Sequence, residues 1–260
     1  MAFLTAAGIR YYQFERLGDG LIQAVFTRRG GSSPEPWASL NMGGSVGDDP
    51  VRVRQNRNRA LLAMNCTPES VFDVWQVHGT DVAIAEAPRA DQSRYIQADA
   101  ILSNKPGITL LMRFADCVPI FLHDPVHKVI GIVHAGWMGT VHRMAQVAVE
   151  TMQARFDSAP SEILAGIGPS IGPDHYEVGP DVIAQVRRSF GQQASSLLVD
   201  HAGAAHFDLW LANQLILEEA GIQQIEVAGL CTACNISDWY SHRAEKGHTG
   251  RFGAIIALNP

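Results

Sequence analysis

The chain has 260 residues, 47% of them hydrophobic, 18% charged, and a net charge of −6. This composition reads as a soluble globular protein with a sizeable core in one domain over residues 1–260, and it argues against a nucleic-acid polymer as partner, because such binding rests on basic surface. No apolar run reaches membrane-spanning length and the start, Met1 to Gly8, lacks the blocks of a signal peptide, so no membrane partner and a cytoplasmic location are expected.

In chain order, apolar β-prone runs predict strands at Ile22–Thr27, Val71–Val77, Val82–Ala85, Ile108–Phe114, Val118–Leu122, Lys128–Val133, Ile163–Ile167, Ile225–Leu230 and Phe252–Leu258. Helical patterns fall at Pro50–Met64, Thr140–Phe156, Pro180–Phe190 and Asp208–Ala220, the first with Asp49 as cap and Pro50 in its first turn. Hairpins among the strands rule out a simple βαβα alternation and favour an α+β, mixed-sheet architecture with helices outside. Arg52, Arg54, Arg57 and Arg59 are read as the solvated face of the first helix, whose apolar side includes Leu61 and Leu62.

Four cysteines, Cys66, Cys117, Cys231 and Cys234, do not make a disulfide scaffold in a chain this long, so a special cysteine is expected to be catalytic or metal-bound. The runs around Val118 and Lys128 form a hairpin. Centred on Pro125 and Val126, it pairs His123 with Lys128 and Leu122 with Val129, and sets Cys117 across from His134. Opposed residues have Cβ atoms about 4.5–5.5 Å apart, within reach of a shared metal ion or a thiolate–imidazolium pair. Pro119 lacks a donor and suggests an edge or a bulge, which would shift this register by one. His78 ends another apolar strand before Gly79. One sulfur and two nitrogens can bind zinc with a fourth position left open, as catalytic zinc sites do. The plainer alternative makes Cys117 a small buried hydrophobe and the histidines ordinary strand-end hydrogen bonders.

After His134, Ala135-Gly136-Trp137-Met138-Gly139-Thr140 leads into a helix, and glycine with a helix start suits an anion such as phosphate. The Gly/Pro-rich segment from Gly166 to Gly179 is read either as a pocket wall or as an ordered connection. Cys231-Thr232-Ala233-Cys234 is read as structural, because no second such pair completes a four-cysteine site. Arg243 and Arg251 are candidates for phosphate.

Several blocks occur together in order: Phe26-Thr27-Arg28-Arg29-Gly30-Gly31-Ser32, Ser39-Leu40-Asn41-Met42-Gly43, Gly47-Asp48-Asp49-Pro50, Asn56-Arg57, Gln76-Val77-His78-Gly79, Ala98-Asp99-Ala100, Ala115-Asp116-Cys117-Val118-Pro119, His134-Ala135-Gly136-Trp137 and Gly168-Pro169-Ser170-Ile171-Gly172. Over most of its length the chain thereby resembles the multi-copper polyphenol oxidoreductase, or laccase-domain, family, whose bacterial members are also called purine nucleoside phosphorylases or peptidoglycan editing factors. The resemblance implies a four-layer α/β/β/α fold with mixed sheets and zinc held by His78, Cys117 and His134. It also implies phosphorolysis of adenosine, inosine and methylthioadenosine with phosphate as co-substrate, and deamination of adenosine. Arg28, Asn41, Gly136 and Arg243 are the expected substrate-binding residues. Asp174-His175 departs from the family pattern, where cysteine or small residues precede Tyr176-Glu177-Val178. Two other chemistries stay open: a Cys117-dependent amidase editing peptidoglycan precursors, with His134 as activator, and a copper-dependent polyphenol oxidase.

Overall fold

The computed structural model describes residues 2–89 and 95–259. Met1, residues 90–94 and Pro260, which the expected domain includes, lie outside the described residues. In chain order the strands are β1 Ala2–Ala6, β2 Ile9–Gln13, β3 Leu21–Phe26, β4 Val71–Asp73, β5 Val82–Ile84, β6 Ala100–Ser103, β7 Thr109–Phe114, β8 Val118–Asp124, β9 Val129–Ala135, β10 Leu164–Ile167, β11 Leu198–His201, β12 Ala204–Phe207, β13 Gln224–Val227 and β14 Phe252–Leu258. The helices are α1 Pro50–Ala63, α2 Trp137–Val141, α3 Met144–Phe156, α4 Pro180–Phe190, α5 Ala194–Leu197 and α6 Leu209–Glu219. None is long and apolar enough to cross a membrane.

Two mixed sheets organise the chain. One has the order β1-β2-β3-β14-β7-β4, antiparallel except for the β7–β4 pair; the other has the order β13-β10-β8-β9-β6-β5, antiparallel except at its two ends. Their inner faces meet, with Val25, Leu110, Met112 and Ile256 of the first packed in one cluster with Ile101, Phe121, Ile130 and Ile132 of the second. The second sheet's outer face, carrying Val118, Ile120, Leu122 and Val133, is covered by Val149 and Met152 of α3 and Ala212 and Ile216 of α6. The first sheet's outer face packs on Ala60 and Leu61 of α1. Helix, sheet, sheet, helix is the expected four-layer α+β architecture, and it explains why β8 and β9 are buried along their whole length: both faces of their sheet are covered.

The cap at α1 is as expected, Asp49 accepting from the Val51 N–H at 2.8 Å with Pro50 in the first turn. Its faces are not. Val53, Asn56 and Ala60 are buried, which puts Arg57 on the inward stripe, whereas Leu62 is 60% exposed. The helix expected from Thr140 to Phe156 begins earlier, at Trp137, and is broken at Arg143, whose φ of 61° is left-handed and separates α2 from α3. The strand expected over Val71–Val77 ends at Asp73, and β1, β2, β6, β11 and β12 have no expected counterpart.

A candidate metal centre at the mouth of the two sheets

The β8–β9 hairpin has a register two residues away from the expected one: Asp124 pairs with Val129, and Pro119, not Cys117, lies across from His134. The cause is in the turn. Asp124 Oδ1 accepts from the N–H groups of Val126 and His127 at 2.9 and 3.1 Å, and Lys128 takes a positive φ of 54°, so four residues close the loop. Pro119 is tolerated in a central strand because its missing donor faces the end of β10, where its carbonyl accepts from Gly168 at 2.8 Å. The same pairing places Cys117 across from Gly136. A Cβ at Gly136 would lie 2.8 Å from Cys117 Sγ and 3.4 Å from His78 Cδ2, so only glycine lets the thiol turn toward the histidines.

The three expected ligands converge. Ligand atoms of His78, Cys117 and His134 lie within 4.8 Å of one another, with Cys117 Sγ 4.0 Å from His78 Nε2. The period of two along β9 puts His134 on the inter-sheet face with Ile130 and Ile132, where its ring meets Phe114 at 5.5 Å. His78 does not end a strand; it sits in a turn at a φ of 61°. Asp99 fixes that turn. Its carboxylate accepts from the N–H groups of His78 (3.0 Å), Val77 (3.1 Å) and Gly79 (2.7 Å), and from His134 Nδ1 at 2.8 Å. With Nδ1 engaged, Nε2 of His134 is left for a ligand, the carboxylate–histidine arrangement of metal sites.

Charge is organised around this cluster. Burial pushes the Cys117 thiol up, but His134 and His78 outweigh it and bring it down to about 6. Burial pushes His134 down, and Cys117 and Asp99 more than reverse that, to about 9. Asp99 is held below the usual carboxylate range: burial opposes its ionisation, and the His134 bond and the amides of Gly79 and Val77 prevail.

The cluster opens into a cleft of about 710 Å³, a volume ordinary for small-molecule sites. Trp137, Met138, Ile171 and Leu209 give it apolar walls, and Arg57, Arg113, Arg243 and Arg251 give it positive charge despite the chain's net −6. Arg57, Arg89 and Arg113 all approach the buried carboxylate of Asp73, at 3.9, 2.7 and 2.8 Å. Arg251 is held by the carbonyls of Thr249 (3.4 Å) and Gly250 (2.8 Å), and Arg243 donates to the Glu177 carbonyl at 2.7 Å with its guanidinium 4.9 Å over the Tyr176 ring. Among the described residues, no ion pair to a carboxylate is formed by either.

The chain matches, over residues 22–259, the family described as multi-copper polyphenol oxidoreductase laccase. The chain belongs to this family. Relatives include a protein of Deinococcus radiodurans named purine nucleoside phosphorylase, 38% identical over 98% of this chain and 95% of its own. Another is purine nucleoside phosphorylase YfiH of Escherichia coli, 34% identical over 92% of this chain and 94% of its own. Among solved structures, YlmD of Geobacillus stearothermophilus superposes with a TM-score of 0.92 at 33% identity, covering 99% of each chain. YfiH of Bacillus licheniformis gives 0.89 at 32% identity, covering 98% of this chain and 97% of that one.

Whether this laccase-family chain can hold a metal is decided by its donors: a thiol whose thiolate is favoured, one imidazole oriented by a carboxylate, and a second imidazole fixed by backbone bonds to that same carboxylate. They suit zinc or copper. Of the other expected site residues, Gly136 and Arg243 line the cleft and Arg28 and Asn41 do not. Arg28 pairs with Glu245 at 2.9 Å and packs 4.5 Å over Tyr240, beside a separate shallow depression. Asn41 is buried, bonded to Asp48, Gly43 and the Arg251 N–H, so it supports the backbone that carries Arg251. α2, which follows Gly136, is a five-residue helix; Gly136 matters by its missing side chain. Asp116 accepts from Thr232 Oγ1 at 2.6 Å and from the Arg243 N–H at 2.7 Å. Sequence reasoning missed Arg57, whose signal was the Val53, Asn56, Arg57, Ala60 spacing, and Arg113, which a strand pattern alone does not single out.

Proposed function

We propose that the chain is a zinc-dependent purine nucleoside phosphorylase acting on adenosine, inosine and methylthioadenosine, and that the same cleft deaminates adenosine. The observation that carries the reading is the placement of Arg243 and Arg251, guanidinium groups with no carboxylate partner among the described residues, in the cleft that also holds His78, Cys117 and His134. The relatives' names support the nucleoside. In phosphorolysis a phosphate oxygen bonds to C1′ of the ribose as the C1′–N9 bond breaks, and the purine leaves with the bonding pair and takes up a proton. Arg243 and Arg251 hold and orient the dianion, and the half-buried setting of Arg251 strengthens its contact. Trp137 and Tyr176 offer ring faces to the purine. His78, Cys117 and His134 would hold the zinc, which would supply Lewis-acidic positive charge. Deamination exchanges the 6-amino group for a water oxygen and releases ammonia, so it is the phosphate-independent reaction of the two.

The test is to incubate zinc-quantified protein with inosine or adenosine, with and without phosphate, and identify products. Ribose 1-phosphate formed only with phosphate is expected, with inosine appearing from adenosine in either case. Arg251→Gln is expected to raise the KM for phosphate about 10-fold, the loss of one charge-assisted contact. Absence of ribose 1-phosphate under all conditions overturns the proposal, and oxygen consumption with a phenol in copper-loaded protein would point to the oxidase reading instead.

The low thiol value at Cys117 favours one rival, a thiol-dependent amidase. In metal-free protein the thiolate fraction, and with it alkylation by iodoacetamide, rises with pH through about 6 rather than through the ordinary value of about 8.5. Peptide mapping of Cys117 against pH checks this, and a midpoint above 8 would contradict the thiolate–imidazolium pair. Alkylation that abolishes amide hydrolysis by metal-free enzyme is the result that would select the amidase.

A further inference from the structure

A second set of metal-ligand side chains lies outside the cleft, where the Gly/Pro-rich segment after β10 meets the turn after β13. Cys231-Thr232-Ala233-Cys234 lacks a second cysteine pair in the sequence, but the fold brings Asp174 and His175 to it, and the four ligand atoms lie within 4.8 Å of one another. Cys231 Sγ is 3.8 Å and Cys234 Sγ 3.5 Å from His175 Nδ1, Cys234 Sγ is 3.2 Å from Asp174 Oδ2, and His175 Nδ1 is 3.0 Å from Asp174 Oδ2. For zinc with ordinary bond lengths to sulfur, nitrogen and oxygen, the edges of a tetrahedron are about 3.4–3.8 Å. The four contacts bracket that range within a few tenths of an ångström. The Gly172 N–H donates to Cys231 Sγ at 3.2 Å, an outer bond of the kind that steadies a metal-bound thiolate. A Cβ on Gly172 would meet Asp174 Oδ1 at 2.6 Å and Cys231 Cβ at 3.2 Å, so glycine is what lets the two segments close on each other.

We infer that Asp174, His175, Cys231 and Cys234 form a second zinc site, separate from the cleft. Two thiolates, an imidazole and a carboxylate select zinc among common cellular cations, and four protein ligands leave no open position, which makes the site structural. Its place in the fold gives it a role. Tyr176, next to His175, lines the cleft; Arg243, further along from Cys234, lies over the Tyr176 ring and bonds the Glu177 carbonyl. An ion joining the two segments staples together the cleft wall on which Tyr176 and Arg243 stand.

The experiment is metal analysis of full-length protein equilibrated with zinc and freed of excess, on wild type, Cys117→Ala, Cys234→Ser and the double variant. The expected zinc per chain is two, one, one and none. The cobalt-substituted Cys117→Ala protein is expected to keep a thiolate-to-cobalt charge-transfer band that Cys234→Ser removes. Should the double variant fail to fold, His175→Ala in the Cys117→Ala background, a change at an exposed side chain, is expected to do the same. Zinc absent from folded Cys117→Ala protein overturns the inference. Zinc kept in Cys117→Ala, lost with Cys234→Ser and never exceeding one per chain in wild type upholds it while overturning the cleft centre, so the two readings fail separately.

Discussion

Asp99→Asn is expected to lower the affinity of the proposed zinc centre at His78, Cys117 and His134 by about 10–100-fold, the usual loss when an outer carboxylate is removed from a ligating histidine. It also destabilises the fold. All four neighbours of this carboxylate are donors, the N–H groups of Val77, His78 and Gly79 and the Nδ1 of His134, and an amide must turn its own NH₂ toward at least one of them. A buried donor left without an acceptor costs about 1–3 kcal/mol. Competition with a chelator reads the affinity and urea denaturation reads the stability. Wild-type affinity in folded Asp99→Asn protein would mean that His134 does not depend on Asp99 for its orientation.

Gly136→Ala is expected to cut turnover by about 100-fold, the penalty typical of an ångström-scale misplacement in a catalytic constellation. Gly136 has φ −74° and ψ −176°, which alanine adopts freely, so the effect is not one of backbone strain. The added methyl would stand 2.8 Å from Cys117 Sγ, so the thiol must give way, while the 3.4 Å approach to His78 Cδ2 is an ordinary contact. The variant should therefore melt close to the wild type while losing zinc affinity. A variant with normal zinc binding and normal kinetics would show that the thiol does not lie against Gly136.

The convergence of His78, Cys117 and His134 was legible in the sequence for a reason partly different from the one first given. The apolar runs flanking Asp124 to Lys128 do form a hairpin, but the Asp124 side chain, bonding two N–H groups of the turn, moves the four-residue loop on by one position and the register by two. Cys117 and His134 meet because the residue actually opposite the cysteine is a glycine, a compensation that no strand pattern displays. The helix cap at Asp49 and the bounds of α4 are local features and could be read directly. The exposed face of α1 was read correctly at Arg52, Arg54 and Arg59, but Arg57 was misplaced because charge was taken to mean solvent. Arg57 lies on the stripe of Val53, Asn56 and Ala60 and turns into the cleft, while Leu62 faces out. Asp99 is flanked by alanines in an apolar run, and its role appears only when β6 is laid beside β9, with the His134 N–H on the Asp99 carbonyl at 2.7 Å. The partners of Cys231 and Cys234 are likewise non-local, supplied by a loop far upstream.

The most direct test of the account is Cys117→Ala, with zinc content and ribose 1-phosphate formation from inosine measured on the same folded sample. One fewer zinc ion per chain together with loss of phosphorolysis is the predicted result. Loss of that ion with phosphorolysis at the wild-type rate would contradict it.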